Sequence, residues 1–404
     1  MLSLQEKLLI KISSIFFFAG SLGGIFLQIY FFRTGGFSLV VVYNIIHFVF
    51  LLIFYLASGW FLRKTGSSIL IRISLFIFSI SWLAVVILKQ NSYLLAAVLF
   101  GVGNGLYWSG YNLSQYLLSQ KGKRENYFGK NISFSNFAVA LGPGIGGLII
   151  LLGNKIYRFP DFGYYLLFFI IFLLNFYIAF LSSSLPSFRG IKFNLGHIIN
   201  HKRSYNFKLV LGQHFILGLM DVAFDTLMAI MLFVIIGSES ALGGVKTVFT
   251  LIIAVVGYFA GGFMVKNKKF YLFTILLASI GIFSLGFWPN WWGVMLMGIL
   301  TGIGFPFFSI ALSTAYFDTI DEHQQSWQEK YHLFLERDGV LGSARIISYL
   351  ILYFLFVKGN KLTIATNWLM AISVLPLIIG WLLSLRRPQR SGMRKQSADL
   401  FPSP

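Results

Sequence analysis

The chain has 404 residues, of which 57% are hydrophobic, 18% aromatic and only 11% charged, with a formal net charge of +19. That is too little charge to cover a soluble surface of this size, and the recurring apolar runs exclude a porin-like barrel, whose strands alternate apolar and polar residues. Cysteine does not occur, which excludes disulfides and thiolate metal sites.

Taken in chain order, the apolar runs predict about twelve membrane-spanning helices, each long enough to cross a hydrocarbon core. They fall near residues 12–32, 38–62, 68–88, 92–117, 130–153, 162–184, 208–236, 242–265, 269–288, 291–317, 338–358 and 362–385. The first run has no small-residue cleavage site behind it and is read as a retained helix. A polar, basic stretch after Leu185-Pro186 divides the chain into an N-terminal bundle (1–186), a linker (187–207) and a C-terminal bundle with a basic tail (208–404). With the N-terminus placed in the cytoplasm, the inner loops collect Lys7, Lys11, Arg63, Lys64, Arg189, Lys192, Lys202, Arg203, Arg386 and Arg387 among others. The outer loops hold only Arg33, Lys89, Lys155, Arg158, Lys246, Lys358 and Lys361. This asymmetry predicts a plasma-membrane protein with both termini in the cytoplasm, and it assigns the excess charge to topology and lipid headgroups rather than to nucleic acid. The two halves also match at an offset of roughly 200 residues, as duplicated transporter halves do. Gly20 and Phe26 align with Gly218 and Phe224, and Gly103-Asn104-Gly105 with Gly302-Ile303-Gly304.

Two motifs give the chain its resemblance to a known family. Gly59-Trp60-Phe61-Leu62-Arg63-Lys64-Thr65-Gly66 follows the second span, and Gly142-Pro143-Gly144-Ile145-Gly146-Gly147 lies in the fifth. In these the chain resembles the major facilitator superfamily along nearly its whole length. The first motif is similar to that superfamily's loop signature, with Gly59, Lys64 and Gly66 in place but Arg63 where the family carries the acidic residue of a cytoplasmic latch. The second matches the core of the motif associated with antiporters. Its proline kinks the helix and its small residues let a neighbour approach, so plain packing accounts for it equally well. The resemblance implies an all-α fold of two six-helix bundles that rock about a central site lined by the first, fourth, seventh and tenth spans.

Within the seventh span, Asp221 and Asp225 are four residues apart and share a face of a regular helix. A carboxylate at mid-bilayer costs roughly 2.5–3.5 kcal/mol even on the lenient scale, so the pair is expected to face protein or water. Three readings stay open: proton or ion coupling, partnership with a buried cation, and direct contact with substrate. Arg345 in the eleventh span is the candidate cation, and His47 in the second could join a proton relay. The fourth span offers Asn104, Tyr107, Trp108, Tyr111 and Asn112 as a wall of amides and rings. Gln28 adds a polar group, and Phe305 and Phe308 an apolar side. No nucleophile–base pair or metal-ligand set stands at workable spacing, so neither an enzyme nor a cofactor is expected. These signals predict an alternating-access transporter, a monomer, exporting a small amphipathic or aromatic molecule against protons. Two further readings fit the same residues: a facilitator or importer of a polar or cationic nutrient, and a lipid-handling or non-transporting membrane protein.

Overall fold

The computed structural model describes residues 2–119, 124–157, 161–267, 269–322 and 326–387. All of its regular structure there is helical. Helix α1 (Leu4–Lys64) begins at a capping box in which Ser3 and Glu6 satisfy each other's backbone N–H groups. It breaks at Gly36, whose φ of 65° is a conformation L side chains rarely adopt. The break makes two limbs of it, and they coincide with the first two predicted spans. The rest of the first half comprises α2 (Ser67–Leu88), α3 (Tyr93–Leu118), α4 (Arg124–Tyr157) and α5 (Phe162–Leu181), with a short helix, α6 (Leu195–Asn200), in the linker. In the second half α7 (Tyr205–Val222) runs through a π-helical turn (Ala223–Leu227) into α8 (Met228–Ile236). Then come α9 (Glu239–Lys266), α10 (Phe270–Phe287), α11 (Trp291–Asp321), α12 (Trp327–Lys358), α13 (Lys361–Ile372) and α14 (Leu375–Ser384). Asparagine side chains cap the turns that enter α11 (Asn290) and α13 (Asn360), each accepting from two backbone N–H groups. Helix α12 starts about three turns before its predicted span, so the polar stretch before residue 338 is structured as an extension of that helix.

Among the described residues nine helical stretches are long and apolar enough to cross a membrane, and their outward faces are apolar, with Ile80, Phe137, Leu148, Phe180, Phe259, Phe283 and Trp292 exposed. An apolar outside around a partly polar inside marks a multi-pass membrane protein. Buried serines and threonines such as Ser74, Ser79, Thr301 and Thr319 turn their hydroxyls back onto carbonyls three or four residues earlier. Each polar group is thereby satisfied inside its own helix.

Two seams join the halves of the sequence. In the first, α4 packs on α1 and α9. A Cβ on Gly142 would lie 2.7 Å from the Leu22 nitrogen, and one on Gly146 closer still to the Leu22 oxygen, so only glycine allows this approach. On the other side the Pro143 carbonyl fills the place where a Cβ of Gly243 would stand, Gly147 lies against Glu239 and Ser240, and the Gly144 N–H donates to Thr247 Oγ1 at 2.9 Å. The Gly-Pro-Gly motif therefore acts here as a two-sided packing surface. The second seam is α1 against α12.

Candidate functional site

Asp221 lies on α7 one turn beyond Gly218, where a Cβ would come within 2.5 Å of the Leu341 carbonyl on α12. That approach brings Arg345 within reach: its Nε donates to Asp221 Oδ2 at 2.6 Å, and its Nη2 reaches the same oxygen. Ser348 ties the next turn by donating to the Leu219 carbonyl at 3.0 Å. The pair is not sealed, since the two side chains keep 22% and 18% exposure. Phe48, on the second limb of α1, places its ring 5.1 Å from the guanidinium carbon and stacks on Tyr349. An ion pair built by the second half is thus covered by an aromatic ring of the first.

The π-turn follows directly. It places Thr226, fully buried, between the halves: Thr226 Oγ1 is 2.6 Å from the Tyr349 hydroxyl and accepts from Asn44 Nδ2 at 3.1 Å. Asn44 also donates to Gln28 Oε1 at 3.1 Å and to the Val40 carbonyl at 2.9 Å. Beside it, Asn104 donates to the Phe100 carbonyl at 3.1 Å and lies 3.4 Å from His47 Nε2. Asp225 belongs to the same π-turn, but its side chain lies outside the described residues, and the turn replaces the regular helix on which the shared face with Asp221 was argued.

The fourth-span aromatics are disposed differently from an open wall. Tyr107 is fully buried, stacked 3.8 Å from Phe16 and 5.5 Å from Tyr111, and the Tyr111 hydroxyl exchanges hydrogen bonds with Asn131 and accepts one from Gln115. Trp108 packs its edge on both tyrosines and is partly exposed, as are Asn104 and Asn112. Phe305 meets Phe224 edge-on at 4.7 Å, and Phe308 is buried with Met220 and Leu312. Of the loop motif, Arg63 and Lys64 are exposed, whereas Gly59 and Gly66 seat the linker. The ring of Phe193 occupies the place a Cβ at Gly59 would need, Ser187 Oγ does the same at Gly66, and Gly66 has a φ of 127°.

Each end of the bundle carries its own cross-half contacts. Away from the linker, Arg33 reaches Asp161 at 3.3 Å and Glu239 at 3.2 Å, and the Tyr164 hydroxyl donates to Glu239 at 2.9 Å. At the linker end the extension of α12 inserts Tyr331, whose hydroxyl is 2.6 Å from Ser109 Oγ and 3.0 Å from Ser58 Oγ. The other face of that extension holds the linker: Arg203 and His201 both pair with buried Glu336, and Lys192 Nζ lies 3.1 Å from Glu329. The hydrogen bond from Lys192 holds the Glu329 carboxyl below its ordinary range. Sequence reasoning missed Phe48, Thr226, Tyr331 and Tyr349. Their one signal is a hydroxyl or ring inside an apolar run, which is too common in this chain to single any of them out.

Among the described residues no group of three His, Cys, Asp or Glu side chains is placed to hold a metal ion. Fold and site define a polytopic all-α membrane protein with an ion pair and a polar hydrogen-bonded chain where its two halves meet. Over 94% of its length the chain superposes on a nucleoside transporter (TM-score 0.66, 13% identity, 99% of that chain). It matches an E. coli fucose:proton symporter over the same share (TM-score 0.61, 14% identity, 98% of that chain). The same share also aligns with a proton-dependent oligopeptide transporter (TM-score 0.71, 12% identity, 97% of that chain). The chain has the major facilitator superfamily fold. In sequence it is similar to an uncharacterised protein, YqgE, of Bacillus subtilis (strain 168), 23% identical over 396 residues that span 95% of this chain and 90% of that one. No protein-family model matches.

These likenesses correct the expected export of an amphipathic or aromatic molecule by antiport. The matching structures include a fucose:proton symporter and a proton-dependent oligopeptide transporter, and a symporter carries solute and proton the same way. The physical basis of the export reading weakens with it, because the rings expected to form the aromatic wall are largely spent on one another and on α1.

Proposed function

We propose that the chain is an alternating-access importer that carries a small polar solute across the plasma membrane together with a proton. The observation that carries this reading is the Asp221–Arg345 pair, partly exposed, bridging α7 and α12 and covered by Phe48 from the other half. Twelve crossings in two six-helix bundles, joined by a cytoplasmic linker at residues 187–207 with both termini inside, accommodate the described helices and the distribution of Lys and Arg. In this reading a proton taken up at Asp221 or Asp225 neutralises a carboxylate, loosens the hold on Arg345, and lets the halves part at Phe48. The Arg33–Glu239 and Tyr331–Ser109 contacts are the outer and inner closures that alternate. Among the fold relatives are a nucleoside transporter, a fucose:proton symporter and a proton-dependent oligopeptide transporter, which supports import of a polar solute over a lipid-handling or non-transporting role.

The test is uptake into proteoliposomes under an inward proton gradient. Accumulation of a polar solute above its external concentration, lost with a protonophore and in Asp225→Asn, is expected. Accumulation that ignores the proton gradient would overturn the coupling, and failure to accumulate any polar solute would overturn the import.

A further inference from the structure

We infer that the solute is uncharged and carries oxygen acceptors, and that His47 is one of the residues that bind it. This rests on the importer reading and narrows it to a substrate class. The argument begins at Asn104. Its amide nitrogen donates to the Phe100 carbonyl at 3.1 Å, which fixes the orientation of the amide, and its second hydrogen is directed to His47 Nε2 at 3.4 Å. A neutral imidazole that accepts at Nε2 carries its proton on Nδ1. His47 Nδ1 is buried and has no hydrogen-bond partner among the described residues. A buried donor left unmade is costly, so the arrangement is complete only when an acceptor arrives.

Charge decides which acceptor. Asp221 and Arg345 compensate each other through two contacts to one oxygen. An anionic solute would have to draw Arg345 from Asp221, and a cationic one the reverse, each leaving a charge in a low-dielectric site without its partner. Among the described side chains the remaining groups at this level, Gln28, Asn44, Asn104, Thr226 and Tyr349, are neutral hydrogen-bonders. Asn44 Nδ2 faces three acceptors with only two hydrogens, at Val40, Gln28 and Thr226. Two of these three contacts therefore share one hydrogen, and a solute oxygen can replace one of them without loss. A neutral solute bearing hydroxyl or carbonyl oxygens satisfies His47 and Asn44 together and leaves the loosening of the ion pair to the proton alone.

The experiment offers proteoliposomes a small-molecule extract of isotope-labelled cells under an inward proton gradient and identifies the accumulated solutes by mass spectrometry. Wild type, His47→Leu and His47→Asn are compared, asparagine placing an N–H near the position of Nδ1. Neutral oxygen-rich solutes should accumulate. The solute so identified should show a half-saturation concentration raised about tenfold in His47→Leu, with most of the affinity restored in His47→Asn and proton-driven accumulation kept. Accumulation of organic acids or amines instead would overturn the inference and leave the importer standing. Equal half-saturation in all three proteins would remove His47 from the binding site. If no solute accumulates at all, the importer reading fails and the inference falls with it.

Discussion

Replacing Tyr331 by phenylalanine removes one hydroxyl from the place where the extension of α12 enters the first half. Tyr331 is 1% exposed, and its hydroxyl bonds Ser109 at 2.6 Å and Ser58 at 3.0 Å. Ser58 keeps a second partner in the Tyr55 carbonyl, but the Ser109 hydroxyl, fully buried, loses the one bond described for it. Two hydrogen bonds at about 1 kcal/mol each, with an added cost for the orphaned serine, amount to roughly 2–3 kcal/mol. The loss falls on the state closed at the linker end, because in the open state water solvates these groups. A shift of that size changes the ratio of closed to open by roughly 30- to 150-fold. Because the chain has no cysteine, spin labels can be placed at Lys64→Cys and Asp321→Cys without removing native thiols. Pulsed electron-spin distance measurements on Tyr331→Phe should show a longer, broader distribution than the parent. Superimposable distributions would refute the assignment of Tyr331 as the inner closure.

Removing one member of the central ion pair leaves the other charge uncompensated, so Asp221→Asn or Arg345→Gln should each cost about 3 kcal/mol, the low end for a buried pair because both groups retain some exposure. The double variant should recover most of that in thermal unfolding, and it should still fail to accumulate solute. Gly218→Leu forces a side chain toward the Leu341 carbonyl and should destabilise by roughly 1–3 kcal/mol. Its separation of α7 from α12 should also abolish uphill uptake, as measured in proteoliposomes. At the other end Arg33 is 44% exposed, so Arg33→Gln should change stability by less than about 1 kcal/mol. It should nonetheless increase labelling of a cysteine placed at Phe37, and in the parent that labelling should rise with salt, which screens the Arg33 pairs.

The sequence was most legible where chemistry is one-dimensional. Apolar length located the membrane-spanning runs, but several helices extend about one to three turns beyond them, α12 furthest, and Gly36 shows why two predicted spans appear as one interrupted helix. The same logic picked out Asp221 and Arg345, since an ionisable group inside an apolar run is rare and needs a partner. What it could not supply was the third dimension of the site. Tyr107 and Tyr111 have the composition of a binding wall, but their rings face Phe16 and each other, and nothing in their spacing distinguishes those two uses. The π-turn at residues 223–227 was equally hidden: its residues read as ordinary helix, yet the turn delivers Thr226 to Asn44. Nothing in the polar stretch around Tyr331 pointed to its role, because its pocket is built by Ser58 and Ser109, hundreds of residues earlier in the chain.

In the proposed cycle the site and the two closures share elements, so a local charge change at the pair would be felt at both ends. Helix α12 carries Tyr331 at one level, Arg345 at the next and Tyr349 one turn further, while the two limbs of α1, joined at Gly36, carry Gln28, Asn44, Phe48 and Ser58. The rigid body α12 cannot tilt at Arg345 without moving Tyr331 in its pocket between Ser58 and Ser109. On the opposite seam the same constraint runs through α4, whose glycines lock to Leu22 on one side and to Gly243 and Glu239 on the other. Glu239 in turn holds Arg33 and Tyr164. Packed interfaces of this closeness have few alternative arrangements and switch rather than deform. In the proposed cycle, loosening the Asp221–Arg345 pair acts through α12 on the contact of Tyr331, and a graft that lengthens α12 by one residue between Tyr331 and Arg345 should uncouple the two. Such an insertion turns the two side chains about 100° apart relative to their present register. It should leave proton-dependent quenching of a fluorophore near Phe48 intact while abolishing the accompanying distance change at the linker end; if both signals persist, α12 is not the element that joins them.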